Sequence, residues 1–582
     1  MQILFNHLGF DPSGKKRVIV QLNNDERQDK NLCLSIIDAG TGLTVYSPVV
    51  KSSGEVEGWK GRYFIEFDFS GYKKEGSYYF FLKTEGDTIF SPSFKIQSHL
   101  YRDSCISDIL FYFKSQRCSG KWDRADRSVP IWKERKAKAD VHGGWFDASG
   151  DYSKYLSHLS YAHYFNPQQI PLVVWSLLEL GEKLSRDEKY RNFLLPERAL
   201  EEAFWGADFL MRMRDPEGFF YTTVFDRWSK KTEERIISSF RTQRGERLTH
   251  HQAGFRQGGG ISIAALARAS KIEVYQETKG EYCSGEYLEA AVSAYAHLKT
   301  ENRNYLDNGK ENIIDYYTGL LAAAELFKAS KDSFYLAESR FWSKMLMDLY
   351  DHKTSCFMVE MDSTRPYFHA SDAGLPIVAL VEYCLLEVDG SKRNKVAEFL
   401  LRICRDIAEL TSKVYNPFCL YRKMVRSIDG ETYESFFIPH ENETGYWWQG
   451  ENAGLASISC GFRKALELIS AFDTSAGPEF KEKMSDLADS QLHWILGCNP
   501  FDMCMLQGRG RNNPEYEEYH PNAPGGICNG ITAGFTDEKD LAFLPDETRG
   551  RGDHKWRWSE QWIPHAAWFL LALAADERAW TV

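Results

Sequence analysis

The chain lacks an excess of basic residues. Its 582 residues include 71 Lys and Arg against 82 Asp and Glu, a formal net charge of −11. A nucleic-acid surface needs a net basic face, so this balance excludes a broad nucleic-acid interface. Disorder is excluded as well, because 43% of the residues are hydrophobic and 14% are aromatic, which allows a large buried core.

Long apolar runs are also missing. The longest spans Ala566 to Ala575, well short of the ~18–20 residues that a membrane helix needs. The first residues, MQILFNHLGFDPSGKK, show no basic start, no long apolar stretch and no small-residue cleavage site, so we expect no signal peptide. The sequence therefore predicts a cytoplasmic protein that binds no membrane.

Cysteine patterns typical of metal sites or disulfide frameworks are absent. The 12 cysteines include no CxxC pair, and several, such as Cys384, Cys404 and Cys460, lie in apolar helical patterns. This favours reduced core thiols. His250 and His251 have no third ligand at a recognisable spacing, so we predict loop histidines, no metal and no cofactor.

The first 97 residues have the pattern of β-strands. Tyr63, Ile65, Phe67 and Phe69 alternate with polar residues, which is a period of two. Turn signals such as Asp38–Gly42 separate this segment from further strand candidates. Short strands at this spacing predict a β-sandwich domain over residues 1–97.

After Pro92 the apolar period becomes helical. About twelve segments place their apolar residues on one face, and they predict six helical hairpins arranged as an α/α barrel over residues 98–582. The long loops, near 120–170, 214–257, 413–450 and 497–559, hold clustered Trp, His, Asp, Arg and Gly. A helical scaffold with functional loops at one end is therefore expected.

The densest of these loops contains Trp145, Asp147 and Asp151 among several glycines. Two close carboxylates can hold and deprotonate one water molecule, and a tryptophan offers a flat face to a sugar ring. The same pattern also fits a loop of Asx turns with helix-capping aspartates. The residues alone leave both interpretations open.

A further carboxylate, Glu560, stands among Trp556, Trp558 and Trp562, just before an apolar helix. Three tryptophans would desolvate the carboxyl and raise its pKa, which suits a general acid. The positive end of the helix would lower the pKa instead. The sequence does not decide which effect is larger.

The third cluster contains His440, Trp447, Trp448 and Glu451. Aromatic faces pack on the C–H groups of sugars while acids and amides bind hydroxyls, so this stretch is a candidate sugar-binding wall. The alternative is a set of core aromatics under a loop. The glycine-rich segments around Arg256 and Arg509 follow no strand–helix pattern, so nucleotide binding is not expected.

Together these motifs resemble glycoside hydrolase family 9. The family's Gly-Gly-Trp/Tyr-x-Asp-Ala-Gly-Asp signature is similar to Gly143–Asp151, its Leu-Gly-x-Asn-Pro motif to Leu496–Pro500, and its late acid to Glu560. The resemblance implies an N-terminal immunoglobulin-like β-sandwich and an (α/α)6-barrel catalytic domain. It also implies inversion at the anomeric carbon, with Asp151 as base, Asp147 holding the water, and Glu560 as acid.

Two departures point to a subgroup. Ser149 lengthens the aspartate motif, and residues 515–520 are acidic where the cellulases carry a His-His-Arg segment. The chain thus resembles the cytoplasmic exo-β-D-glucosaminidases. In that case Glu515–Glu518 or Asp502 would bind a protonated 2-amino group, with Glu443 or Glu451 as alternatives. Further candidate sugar contacts are Arg509, Glu518, His520 and Trp562.

The expected partner is a short oligosaccharide, and the sequence leaves open whether the chain forms a homodimer. A β-1,4-glucanase or cellodextrinase of the same family is the main alternative. A sugar phosphorylase, with Arg509 and Arg511 at its phosphate site, a glycan lyase and a non-catalytic sugar-binding protein are the others.

Overall fold

A computed structural model describes residues 1–23, 32–133, 138–156, 163–191, 194–241, 246–275, 278–444, 448–472, 476–516, 522–550 and 552–580. All twelve cysteines lie in these ranges, and all are free thiols, as the sequence predicts. Across the same ranges, no helix is both long and apolar enough to cross a membrane.

The N-terminal domain is a sandwich of two sheets. One sheet has the strand order β1-β3-β7-β6 and the other β2-β10-β8-β4-β5, with β9 paired to β8. Only β10 and β2 pair in parallel among these described strands. The strands are β1 Gln2–Leu4, β2 Gly9–Phe10, β3 Arg17–Leu22, β4 Cys33–Asp38, β5 Thr44–Tyr46, β6 Val49–Gly54, β7 Tyr63–Asp68, β8 Gly76–Lys83, β9 Thr88–Phe90 and β10 Phe94–Ile96.

Strand β7 is covered on both faces. Phe67 packs inside the sandwich, while Phe64 on the opposite face joins the core of the helical domain. Glu66, one of the polar residues in the alternation, is also buried. Its carboxyl group lies 3.6 Å from Arg17, which pairs in turn with Asp486 of the helical domain. The period of two shows which residues share a face, but the second domain decides that both faces are buried.

The helical domain begins at Leu100. Its α-helices, within the described residues, are α1 Leu100–Gln116, α2 Gly120–Ala125, α3 Ile170–Arg186, α4 Leu194–Arg212, α5 Gly259–Tyr275, α6 Ser284–Tyr305, α7 Ile313–Ser330, α8 Ser333–Asp348, α9 Leu375–Cys384, α10 Gly390–Ser412, α11 Asn452–Phe472, α12 Pro478–Ile495, α13 Gly552–Ser559 and α14 Ile563–Ala574. The twelve helices predicted from the sequence are all present, and α2 and α13 are short additions within loops.

Six helices close an inner ring in the order α3-α5-α7-α9-α11-α14, because each packs on the next and α14 packs back on α3. Helices α1, α4, α6, α8, α10 and α12 lie outside. Every residue of α9 and of α14 is buried, as expected for helices that are apolar all round. The fold is therefore an immunoglobulin-like sandwich followed by an (α/α)6 barrel.

The loops that precede α3 and α14 lie at the same end of the barrel. This follows from the ring, in which the first and last inner helices are neighbours. Short strands stiffen these and other loops: Val129–Pro130, Lys138–Ala139, Lys154–Tyr155, Phe220–Tyr221, Thr223–Phe225, Ile236–Ile237, Gln252–Ala253, Tyr350–Asp351, Cys356–Phe357, Lys423–Arg426, Thr432–Ser435, Thr532–Ala533 and Leu541–Ala542.

Candidate active site

The loops before α3 and α14 are joined backbone to backbone. The N–H of Ile563 donates to the carbonyl oxygen of Asp147 at 2.9 Å, and the N–H of Ser149 donates to that of Gln561 at 2.9 Å. The N–H of Gln561 donates in return to Ser149 Oγ at 3.0 Å. This short ladder brings Glu560 beside the aspartate loop although the two are far apart in sequence.

Asp147 and Asp151 share one serine. Ser153 Oγ lies 2.5 Å from Asp147 Oδ1 and 2.5 Å from Asp151 Oδ1. The N–H of Ser153 also donates to Asp151 Oδ1 at 2.6 Å, so Asp151 does form the Asx turn that the sequence allowed. Gln169 Nε2 donates to Asp147 Oδ2 at 3.3 Å. The local turn therefore serves to hold two carboxyl groups together.

The pKa of Asp147 is raised well above its ordinary value. Burial is the largest cause, followed by the charge of Asp151 and a hydrogen bond between the two carboxyl groups; Glu560 adds to the effect and Ser153 opposes it. A carboxyl in this setting retains its proton at pH values where an exposed aspartate has lost it. The pair is thus arranged so that Asp147 favours its protonated form.

Glu560 also has a pKa raised well above its ordinary value. Burial is the main cause and the charge of Asp151 adds to it, while the N–H of Gly150 and the side chain of Asn529 act in the opposite direction. The effect of desolvation on the Glu560 pKa is therefore larger than that of the helix end. The sequence alone had left this question open. A Cβ atom on Gly150 would lie 2.0 Å from Glu560 Oε1, so only glycine fits at this position.

A buried cluster of charged side chains anchors the aspartate loop to the rest of the domain. Lys154 Nζ donates to the carbonyl oxygens of residues 141 and 143 at 2.8 Å and pairs with Asp126 at 2.7 Å. Arg235 binds both oxygens of Asp126 at 2.8 and 2.7 Å and the carbonyl oxygen of Tyr152 at 2.5 Å. Burial alone would raise the pKa of Asp126, but Lys154 and Arg235 lower it to about 2.

Trp145 is not the sugar platform that its sequence position suggested. Its side chain is fully buried, its ring lies over Gly206, and its Nε1–H donates to Glu202 at 3.2 Å. The motif's tryptophan is a core residue because the loop folds inward against α4. It supports the aspartates without facing a ligand.

Trp448 and His440 also have partners within the chain. The guanidinium of Arg557 lies 3.7 Å from the centre of the Trp448 ring, and the His440 ring centre lies 4.0 Å away. Two groups this close to one ring centre cannot share a face, so both faces of Trp448 are covered. His440 has its pKa lowered to about 4 by burial. Its Nε2–H donates to Ala533 at 3.2 Å. These contacts do not support the sugar-stacking prediction for Trp448.

The remaining charged candidates form ion pairs. Glu451 accepts from Lys423 and, at 2.6 Å, from the N–H of Ile438, so both of its oxygens are used. Arg509 pairs with Asp108 at 2.6 Å. Asp502 pairs with Arg511 at 2.5 Å and with His7 at 3.0 Å. Glu443 pairs with Arg365. These residues connect loops and domains, which does not support the substrate roles predicted for them.

Trp562 packs against Ala148, Phe165 and Phe368 beside the aspartate loop and is 5% exposed; a sugar contact there stays a prediction. Trp447, Glu518 and His520 lie outside the described residues.

Sequence reasoning missed several polar residues of the site. Ser153 follows the motif by two residues and could have been found as an Asx-turn partner. Tyr516 and Asn529 carry no local signal. The hydroxyl of Tyr516 lies 2.9 Å from the position a Gly150 Cβ would occupy, so Tyr516 lies beside the aspartate loop.

Family models match both domains. Residues 1–87 match the model described as "Cellulase N-terminal ig-like domain", and residues 103–524 match "Glycosyl hydrolase family 9". A cellodextrinase of Butyrivibrio fibrisolvens is 23% identical over 601 residues, covering 95% of this chain and 93% of that protein. Endoglucanase 14 of Arabidopsis thaliana is 24% identical, covering 72% of this chain and 77% of its own length.

Solved structures agree in fold. A Bacteroides ovatus GH9 protein aligns with a TM-score of 0.66 at 18% identity, covering 99% of this chain and 98% of the other. A metagenome-derived glycoside hydrolase family 9 endoglucanase aligns with a TM-score of 0.66 at 17% identity, covering 100% and 99%. The chain belongs to glycosyl hydrolase family 9 and is a glycosidase with an N-terminal cellulase-type immunoglobulin-like domain.

Proposed function

We propose that this glycosidase inverts the anomeric centre and releases glucosamine from the non-reducing end of short β-1,4-linked glucosamine oligosaccharides. In this proposal Asp151 takes the proton from the attacking water and Asp147 helps to hold that water. Glu560 protonates the departing glycosidic oxygen. A carboxyl with a raised pKa is suited to the acid role because it still carries its proton at pH values where an exposed glutamate has lost it.

The observation that carries the sugar preference is a concentration of acidic groups that repel one another. The charges of Asp151 and Glu560 both raise the pKa of Asp147. Burial raises the pKa of Asp226, Arg235 opposes this, and Asp151 adds to it. An ammonium group on the substrate would relieve this repulsion through charge-assisted hydrogen bonds, whereas a neutral glucose unit would not.

A glucan oligosaccharide is the second candidate substrate. It is supported by the Butyrivibrio relative, which is named a cellodextrinase and matches nearly the full length of this chain. Both candidates are short β-linked oligosaccharides, so they share the same catalytic residues. They differ in the group at C2 of the first sugar.

A cytoplasmic location would fit either substrate, and we propose it on the state of the cysteines. All twelve are free thiols, and eight of them are buried. Proteins of oxidising compartments more often use cysteines as disulfides. An enzyme in the cytoplasm would act on short oligosaccharides that have been imported into the cell.

The test is hydrolysis of cellobiose, chitobiose and deacetylated chitobiose, with the product anomer followed by proton NMR. We expect the deacetylated disaccharide to be cleaved fastest, by ~10–100-fold over cellobiose, because a buried carboxylate without its ammonium partner costs ~1–3 kcal/mol. The first product should be the α-anomer. The preference should weaken as the pH rises through the pKa of the substrate amine.

Each part of the proposal has its own contrary result. Equal rates on cellobiose and deacetylated chitobiose would refute the amino-sugar preference but not the glycosidase assignment. A β-anomer as first product would refute inversion. Repeating the reaction with inorganic phosphate tests the phosphorylase alternative, since a sugar phosphate would appear only in that case.

A further inference from the structure

Asn529 contacts the loop of Glu560 in several ways. Its backbone N–H donates to the carbonyl oxygen of Glu560 at 2.8 Å. Its side-chain Nδ2 donates to the carbonyl oxygen of Trp556 at 2.7 Å. The same side chain lies near the Glu560 carboxyl group and acts to lower its pKa. One residue, 2% exposed, therefore holds the backbone on which Glu560 stands and lies beside its carboxyl group.

The direction of the Asn529 amide is fixed by its partners. A backbone carbonyl oxygen only accepts hydrogen bonds, so the group facing Trp556 must be the NH2. Oδ1 then faces His565, whose Nε2 lies 2.8 Å away. Since Oδ1 only accepts, His565 must carry its proton on Nε2. The second hydrogen of the NH2 group is thus left to point toward Glu560.

His565 is suited to hold this orientation because it is neutral. It lies in the first turn of α14 and is fully buried, and burial lowers its pKa to about 3. Within the described residues its Nδ1 has no hydrogen-bond partner. The only polar contact of the ring that the described residues show is therefore the one to Asn529.

We propose that Asn529 and His565 are positioning residues for the catalytic acid: His565 orients the Asn529 amide, and the amide aims and tunes the Glu560 carboxyl. The inference rests on the acid role proposed for Glu560 and adds two residues to it. The Asn529 amide favours the ionised carboxylate, so it keeps the Glu560 pKa below the value that burial alone would give.

The test compares Asn529→Leu, His565→Leu and His565→Gln with the unmodified enzyme. Two substrates are used, the disaccharide of the panel that is cleaved fastest and the 2,4-dinitrophenyl glycoside of the same sugar. For Asn529→Leu we expect kcat on the disaccharide to fall ~10²-fold because the acid is misaimed, with little change in KM. The aryl glycoside needs almost no protonation and should lose far less.

The pH profile supplies a result that a purely structural role would not give. Removing a donor to the carboxylate raises the Glu560 pKa, so the basic limb of kcat/KM should move upward by ~1 pH unit. His565→Leu should shift it in the same direction by less. His565→Gln, which keeps a donor near Asn529 Oδ1, should restore most of the activity and the original limb.

Equal losses on both substrates together with an unmoved basic limb would overturn the inference. If Asn529→Leu does not fold, as judged by thermal unfolding, the two His565 variants decide, because a rescue by glutamine is not expected of a simple packing role. Glu560→Gln is measured alongside. If its loss does not depend on the leaving group, the acid assignment fails and the positioning role falls with it; if the loss in Glu560→Gln depends on the leaving group and the loss in Asn529→Leu does not, only the positioning role is refuted.

Discussion

The barrel has buried carboxylates at both of its ends, and the two groups are arranged differently. In the C-terminal halves of the inner helices, Arg268 pairs with Glu182 at 2.7 Å and with Glu325 at 3.2 Å. Glu382 is bracketed by Lys464 at 2.8 Å and by Lys328. At the end that holds the catalytic loops, the described residues provide no Lys or Arg ion pair to Asp147 or Glu560.

The pKa shifts follow this difference. Burial alone would raise the pKa of Glu382, but Lys328, Lys464 and Arg268 outweigh it and bring the pKa well below its ordinary value. Asp147 is buried and Glu560 is half-buried in the same fold, and the pKa values of both rise. The comparison shows that burial does not by itself identify a functional carboxyl group; burial with acidic neighbours and no cation does.

The largest effect is expected for Asp151→Asn. Loss of the base should reduce turnover by ~10²–10⁴-fold or more, with KM nearly unchanged. Azide should restore activity to Asp151→Ala and give the glycosyl azide of inverted configuration, which mass spectrometry and NMR would detect. Full activity in Asp151→Asn would exclude the base role.

Glu382→Gln should show the opposite behaviour. It removes one of the two buried counter-charges of Lys328 and of Lys464, which keep Glu325 and Glu179 as partners. The free energy of unfolding should therefore fall by ~1–3 kcal/mol, while kcat of the folded fraction stays the same. Because the folded pKa of Glu382 is depressed, its contribution exists above the unfolded pKa of ~4.3 and is lost as the pH falls. Urea unfolding at pH 7 and at pH 3 measures this, and an undiminished stability at pH 7 would contradict it.

Trp145→Phe distinguishes a core residue from a sugar platform. It removes the hydrogen bond to Glu202 and leaves a small void under Gly206, so stability should fall by ~1–3 kcal/mol. KM for the disaccharide should hardly change because the ring faces no ligand. Isothermal denaturation and steady-state kinetics separate the two effects, and a rise in KM without loss of stability would restore the platform interpretation.

The smallest expected effect is a gain in stability in Glu560→Gln. A folded pKa above the unfolded ~4.3 means that ionisation favours the unfolded chain, so the carboxyl reduces stability above that pH. The substitution should therefore change little below pH 4 and add ~0.5–2 kcal/mol as the pH rises through the folded pKa. Thermal unfolding across this range tests the sign, and a loss that grows with pH would contradict it.

Local patterns in the sequence were sufficient for the elements of the fold. The alternation from Tyr63 to Phe69 predicts β7, observed as Tyr63–Asp68, and the twelve helical periodicities correspond to twelve observed helices. These patterns predict the strands and helices correctly because each depends only on residues a few positions apart. The burial of Glu66 was not predictable in the same way, since it depends on contact with a second domain.

The active site likewise has features that the sequence predicts and features that depend on contacts between distant segments. The sequence by itself singled out Asp147, Asp151 and Glu560 as candidate carboxyl groups, because acids, glycines and tryptophans cluster around them and the motifs resemble those of the family. Only the tertiary structure decided what surrounds them: that Trp145 is core, that Trp448 is covered by Arg557, and that Asn529 contacts the acid. Closure of the helical ring creates these contacts between distant segments, and no short sequence window contains both partners.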